Sequence, residues 1–459
     1  KTLHENGIRV LLDGVFNHVG RDFFAFKDIQ QCGMSSIYCN WFHNIRFDRQ
    51  SPKGDNFSYE GWAGHYDLVK LNLQNEIVTS HLLDAVKFWI DEFDIDGLRL
   101  DAADCVDIEF FKKLRQTCKQ RKPDFWLYGE ITNGNYNLWA NDQTLDSVTN
   151  YETYKALFSC HNDRNYFEFA HSMDRQQGDY GIYKNLYLYN FVDNHDVNRL
   201  ASSLNDETLL KNTYTLLFTM PGAPSIYYGS EFGIKGKRTH HSDYELRPEL
   251  NLGEIDNPNY ELFEHIKKLS KLKHSLKALQ YGNYKNENIQ LEHLCYSMKT
   301  DDQSVFVLLN QSNEVRNIGF DTRFSGVLTD VLNGNKTYQC NGYVNIDVMP
   351  KSSMILVAND GSFKIDFDAV KTPEALPVKE EKQAKEILEY DEIALGKYRH
   401  FKGNEYEVVG FAKDSETTQK MVIYKALYGE QELWVRPYDM FREIIERDGK
   451  KIRRFTKID

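Results

Sequence analysis

From residue 1 to about 275, short apolar runs alternate with longer stretches in which apolar residues recur every three or four positions. The short runs are "IRVLLDGVFN" (8–17), "GLRLD" (97–101), "WLYGE" (126–130), "DSVTN" (146–150), "LYLYNFVDN" (186–194) and "PSIYY" (224–228). Between them, "EIVTSHLLDAVKFWIDEF" (76–93) and "IEFFKKLRQTCKQ" (108–120) have the spacing of helices. Strand then helix, repeated, predicts an α/β fold with a parallel sheet. Six such units in one run favour a closed (β/α) barrel over a doubly wound sheet. One connection breaks the rhythm, at about 19–75, where the chain loses periodicity and becomes rich in aromatics and glycine. So long an insertion is functional or disordered, and its aromatic content points to a folded inserted domain. From 276 to 365 the pattern becomes that of alternating strands, such as "SVFVLLNQ" and "SMILVAN", which predicts an all-β sandwich domain. Residues 366–392 are charged and read as a linker, and 393–459 read as a final small β module.

Composition narrows the class. A net charge of −12 argues against a general nucleic-acid binder. No run of eighteen apolar residues exists, so no membrane span is expected. The seven cysteines are odd in number and scattered, as expected of reduced thiols in the cytoplasm; Cys32 and Cys39 are close together but have no zinc-type partners. Aromatics make up 14% of the chain, which suits either a large core or faces on which sugar rings stack. "KTLHENGIRVLLDGVFNHVG" starts in mid-pattern, with a helix tail (1–6), a stop at Gly7 and a strand. The expectation is therefore an incomplete chain, and any signal peptide would belong to the part before Lys1.

Parallel strands in a barrel share one mouth at their carboxyl ends. There the sequence gathers Asp13, Asn17 and His18, then Arg99 and Asp101, then Glu130, then His195 and Asp196. Retaining cleavage of a glycosidic bond needs a carboxylate nucleophile and a carboxylic acid about 5 Å away. An arginine two residues before the nucleophile lies on the same strand face and keeps that aspartate ionised. Arg99 and Asp101 have this spacing, and crowding by anions would hold a proton on Glu130. Each piece alone has a plainer reading: "RLD" as a structural ion pair, Glu130 as a solvated strand end, "NHD" as a turn. Their order on successive strands favours the catalytic one.

With "DGVFNH" (13–18), "GLRLDAAD" (97–104), "YGE" (128–130) and "FVDNHD" (191–196) in this order, residues 1 to about 365 closely resemble the α-amylase family, glycoside hydrolase family 13. "LVKLNLQN" (68–75) resembles the motif that closes that family's inserted B domain, and "PGAPSIYYGSEFGIKG" (221–236) its last strand and following loop. The "KLN" motif and the short insertion lean towards the neopullulanase, cyclomaltodextrinase and maltogenic amylase group. The resemblance implies a (β/α)8 barrel whose first two strands, and with them a stacking tyrosine, precede Lys1. Residues 1–459 alone are then expected to be poorly active or unstable. It further implies Asp101 as nucleophile, Glu130 as general acid/base and Asp196 as transition-state stabiliser, with His18, Arg99 and His195 lining the subsite of the attacked sugar. Asp13 and Asn17 match structural positions. In some members the Asn helps bind calcium, but no full set of oxygen ligands is identifiable, so no metal or other cofactor is assigned.

The implied partner is an α-glucan or oligosaccharide, cleaved at α-1,4 bonds as in maltodextrin, cyclodextrin or pullulan. The oligomeric state is open, a dimer being expected of some longer relatives. A glucanotransferase or isomerase of the same fold is the alternative enzyme, and a non-catalytic glucan-binding protein on a degenerate barrel the alternative class. The module at 393–459 resembles a small bacterial domain of unknown function, marked by "GKYRHFKGNEYEVVG" and "WVRPYDMF". Its aromatics could stack on glucan or fill a small core.

Overall fold

The parallel strands form where the apolar runs predict them. They are β1 (Leu11–Gly14), β2 (Gly97–Leu100), β3 (Trp126–Gly129), β4 (Ser147–Val148), β5 (Tyr189–Asn190) and β6 (Ala223–Pro224). The computed structural model describes residues 1–239, 242–367, 393–413, 420–429, 431–447 and 450–458. Beyond residue 367, the expected linker therefore lies outside the described residues. The chain divides into two units, Lys1–Leu376 and Pro377–Asp459.

In the first unit, neighbours in sequence are neighbours in space. β1 to β4 pair in parallel succession, a bridge between Thr149 and Tyr189 continues the series to β5, and β5 pairs with β6. The ladders are shorter than the apolar runs at the later strands. After Asn190, side chains replace the ladder: Asn190 donates to the Pro221 carbonyl and accepts from Asn150. Gly222 (φ 107°) passes so close that a Cβ there would lie 2.4 Å from the Leu188 carbonyl oxygen, which only glycine permits.

Helices cover the strands as their periodicity dictates. Asn75 caps Glu76–Phe93 by accepting from the Ile77 N–H, and the helix buries Val78, Leu82, Leu83, Val86 and Ile90. Asp107 caps Ile108–Arg121 in the same way, burying Phe110, Phe111 and Leu114. Each such side chain contributes about 1.5–3 kcal/mol of burial free energy.

The insertion is a folded body. His18–Gly20, His65–Lys70 and Gly61–Trp62 form a small antiparallel sheet beside the helix Phe24–Cys32. Five of its eleven aromatics, Phe26, Trp41, Phe42, Phe57 and Tyr59, are buried together, and Phe23, Tyr38, Phe47 and Tyr66 pack against them. Arg21 forks onto both oxygens of Asp55 at 2.8 Å, holding that carboxyl down at about 2.

Residues 283–359 form one antiparallel sheet of six strands, ordered Asn283–Ile289, His293–Lys299, Ser304–Asn310, Ser352–Asn359, Arg316–Asp330, Lys336–Val348. The sandwich predicted from alternation arises here by curling of one continuous sheet. One face, with Tyr284, Leu294, Tyr296, Val305 and Val307, packs on barrel helices through Leu216, Leu269 and Leu272. The other encloses Phe306, Leu308, Ile318, Phe320 and Leu356. Tyr284 and Tyr296 thus serve the core.

The second unit contains a five-stranded antiparallel sheet, ordered Leu433–Pro437, Lys420–Ala426, Glu405–Lys413, Gly396–His400, Phe455–Lys457, beside a short helix Tyr438–Phe441 and a two-stranded pair Ile444–Arg447 and Lys450–Arg453. Tyr398, Val408, Val422, Tyr424, Phe441 and Phe455 fill its core, with the Phe441 and Phe455 rings stacked at 4.1 Å. Among the described residues no helix is long and apolar enough to cross a membrane.

Candidate active site

The parallel register brings the polar strand ends together. Asp13 is the register partner of Arg99, and Leu100 that of Gly129, so Asp101 and Glu130 follow side by side on adjacent strands. Arg99 ties the group. Its Nη1 lies 2.7 and 2.8 Å from the two oxygens of Asp13 and 3.0 Å from Asp101 Oδ1. Its Nη2 lies 2.7 Å from Glu130 Oε2. This anionic ring raises the arginine's own affinity for its proton against the opposing effect of burial.

Glu130 is the acid with the raised pKa. Burial is the main cause; Arg99 and the Ala102 N–H, which donates to Oε2 at 3.3 Å, oppose it, while the charges of Asp101 and Asp196 add to it. Tyr151 places its hydroxyl 3.5 Å from Glu130 Oε1 and is itself held by Asn194 at 3.0 Å.

Asp196 has the opposite environment. His195 Nε2 lies 3.1 Å from its Oδ2 and Arg247 Nη2 3.2 Å from its Oδ1. The His195 hydrogen bond, with Arg247 assisting, holds this carboxyl below its ordinary value. Asp196 also feels the charge of Arg99, so the three carboxylates stand in one field. Two adjacent acids are therefore pushed apart in pKa, the pattern that separates a proton donor from an ionised stabiliser.

His18 is buried, with Nε2 4.0 Å from Asp101 Oδ2. Burial lowers its pKa and favours the neutral ring. Its ring stacks on Trp62 of the insertion, centroids 5.2 Å apart, so the inserted body reaches the strand ends. Asn17 is buried, with Nδ2 3.2 Å from His18 Nδ1. Among the described residues no group of three or more His, Cys, Asp and Glu side chains is placed to hold a metal ion.

All six residues named from the sequence as catalytic or sugar-binding lie in this cluster: Asp101, Glu130, Asp196, His18, Arg99 and His195. The neighbouring Asp193 turns elsewhere, and Asn194 reaches the cluster through Tyr151. Asp193 is buried and accepts from the Leu200 N–H and the Ser230 hydroxyl. Asn194 accepts from the main-chain N–H groups of Asp196 and Val197 and so shapes the turn. Sequence reasoning missed Tyr151, Trp62 and Arg247. Tyr151 could have been found, because it directly follows the strand at 146–150; the other two arrive on segments without periodicity.

Residues 1–274 match the model of a family described as Alpha amylase, catalytic domain. The chain belongs to the α-amylase family. Residues 396–457 match a second family, a protein of unknown function called DUF1653. A cyclomaltodextrinase of Geobacillus thermopakistaniensis is 34% identical over 342 residues, 73% of this chain and 57% of that one. Neopullulanase 2 of Thermoactinomyces vulgaris is 31% identical over 361 residues, 77% of this chain and 60% of that one. This α-amylase-family chain thus spans less than two thirds of the length of either relative. In three dimensions it resembles a cyclomaltodextrinase structure with a TM-score of 0.69 at 27% identity, covering 78% of this chain and 61% of that one. A debranching enzyme of Nostoc punctiforme, soaked with acarbose, gives a TM-score of 0.65 at 25% identity, over 77% and 76% of the two chains.

Proposed function

We propose that this member of the α-amylase family is the catalytic portion of a retaining hydrolase of α-1,4-glucosidic bonds. Its substrates are of the maltodextrin, cyclodextrin or pullulan type, as the names of the relatives indicate. The observation that carries the reading is the Arg99 hub, with Asp101 and Glu130 on one guanidinium at the carboxyl ends of adjacent parallel strands.

In this reading an Asp101 oxygen attacks the anomeric carbon while Glu130 gives its proton to the departing glycosidic oxygen. Arg99 holds Asp101 in place through a hydrogen bond of 3.0 Å, and burial favours the proton on Glu130 until the bond breaks. Asp196, kept ionised by His195 and Arg247, faces the positive charge that develops on the ring. Glu130, now a carboxylate, then takes a proton from water, which displaces Asp101 and restores the original anomeric configuration. His18, Arg99 and His195 hold the attacked sugar. We take 1–275 as the catalytic body with its inserted domain at about 19–75, 276–365 as the β domain, and 393–459 as a separate module. All seven cysteines are free, which supports a reducing cytoplasmic setting.

The test is the native full-length protein, assayed on maltotriose, β-cyclodextrin and pullulan with anomers followed by NMR, beside Asp101→Asn. Initial α-anomer products, with turnover lost in the variant, are expected. A folded wild type inert on all three would overturn the hydrolase reading, and products formed only with an added acceptor sugar would replace it by a transferase.

A further inference from the structure

The C-terminal module carries fourteen Lys and Arg against eleven Asp and Glu between 393 and 459, in a chain of net charge −12. Its most unusual feature is apolar. Leu433–Pro437 forms one edge of the five-stranded sheet and, among the described residues, pairs only with Lys420–Ala426. Leu433, Trp434 and Val435 are consecutive and exposed at 64%, 51% and 57%. Natural edge strands are blunted by charge, by proline or by covering. Among the described residues none of these protects residues 433–435.

The hydrogen-bond phase of this edge is determined. The Ala426 N–H donates to the Glu432 carbonyl at 3.0 Å. Alternation then turns the main-chain groups of residues 432, 434 and 436 towards the neighbouring strand and those of Leu433 and Val435 outward. Pro437, next in the outward set, has no N–H, and Gln431 (φ 54°) has left the extended conformation. The usable edge is therefore two residues with four outward main-chain groups.

From this we infer that the module pairs with a second copy of itself, strand Leu433–Pro437 against its counterpart, antiparallel and centred on Trp434. In that register Leu433 of one copy faces Val435 of the other, twice, which satisfies all four outward groups without needing Pro437 or Gln431. The same register sets Glu432 opposite Arg436, also twice, and the two Trp434 residues opposite each other. The edge is thus complementary to itself in hydrogen bonding, apolar contact and charge at once. Shifting the centre to residue 433 would require Gln431, and shifting it to 435 would require an N–H from Pro437. Arg436 is held on its own module, its Nε 3.2 Å from the Tyr424 hydroxyl and its guanidinium over the Phe455 ring. Such a short ladder makes a weak pair, of the transient class of interfaces.

Sedimentation velocity of the whole 459-residue chain, across a concentration series to roughly 200 μM, tests this. The wild type is expected to dimerise reversibly, and Val435→Lys to be monomeric throughout. Glu432→Arg should weaken the dimer about tenfold, and Glu432→Arg with Arg436→Glu should restore it. Because Arg436 touches the core, near-UV dichroism checks the double variant. If it is unfolded, Glu432→Arg and a rising-salt series on the wild type, which should weaken the dimer, take its place. A monomeric wild type, a dimer unaffected by Val435→Lys, or a dimer insensitive to both Glu432→Arg and salt would overturn the inference. The outcome is independent of what the barrel site does.

Discussion

Two arginines, Arg99 and Arg199, are each the centre of a polar cluster at the carboxyl ends of the barrel strands, and they differ in what surrounds them. Arg99 is ringed by Asp13, Asp101 and Glu130, and its side chain is 14% exposed. Arg199 is fully buried and donates to the carbonyls of Tyr228 and Leu246 and to the Ser230 hydroxyl. The rings of Tyr227 and Tyr228 flank its guanidinium at 4.4 and 5.2 Å. Asp193 joins that cluster through Ser230 rather than by a direct ion pair. One arginine stands among carboxylates that remain partly exposed. The other uses neutral acceptors to clamp the loops behind it. The same residue type therefore serves chemistry or architecture according to whether its partners can ionise and whether water can reach them.

The comparison breaks if the two arginines fail in the same way. Arg99→Leu is expected to lower kcat by about 10³–10⁴-fold in the native full-length protein, because Asp101 and Glu130, the proposed nucleophile and acid, lose their shared cation. Arg199→Met should instead lower the unfolding free energy in urea by about 3–5 kcal/mol, since buried acceptors lose their donor. Loss of activity from Arg199→Met in proportion only to its unfolded fraction would sharpen the contrast; a severe kcat defect in fully folded protein would remove it.

The buried cluster also has its own pH signature. Burial pushes the Asp193 carboxyl up to about 6 from an ordinary 3.8. A carboxyl raised in the folded state contributes stability that is complete below the ordinary value and is lost as pH rises through the folded one. Stability is thus expected to decline between about pH 4 and 6, by up to about 3 kcal/mol from this group. Urea unfolding at pH 4 and 7 should show that loss in the wild type and a smaller one in Asp193→Asn. Equal losses in both would assign the pH dependence to other groups.

What could be read from the sequence follows from the same contrast. Strand ends were legible because parallel strands repeat a pattern, and their register turns linear position into neighbourhood: Asp101 and Glu130 meet because Leu100 faces Gly129. In "FVDNHD", though, four polar residues look alike as letters and divide in space. His195 and Asp196 face the cluster, Asp193 points into the buried network, and Asn194 braces the turn. Nothing in the run signals that division, because it depends on Ser230 and Leu200 closing over Asp193. The aromatic insertion was ambiguous for a related reason. Phe26, Phe42 and Phe57 are core while Trp62 stacks on His18, and composition does not tell a ring that fills space from one that lines a site. The curled β domain read correctly as all-β, but its connection into a single sheet rests on long-range pairing that alternation does not encode.

Arg247 lies between the two classes and offers the finest test of the distinction. Its side chain is half exposed, it pairs with Asp196 at 3.2 Å and Asp243 at 2.9 Å, and its Nε approaches the His195 carbonyl at 3.3 Å. Its preceding residue, Leu246, supplies one of the carbonyls that Arg199 clamps, so the two arginines are joined through one peptide segment. If Arg247 acts on the chemistry, Arg247→Ala should lower kcat/KM by about 10–100-fold, the cost of a misplaced stabilising group, with the urea midpoint unchanged. Because Arg247 helps hold the Asp196 carboxyl down, its removal should also move the acidic limb of the kcat/KM profile to higher pH. Arg247→Lys, which keeps the charge but not the fork, should recover the limb and part of the rate. A fall in stability with the pH profile unmoved would place Arg247 with Arg199, as a clamp on the loop.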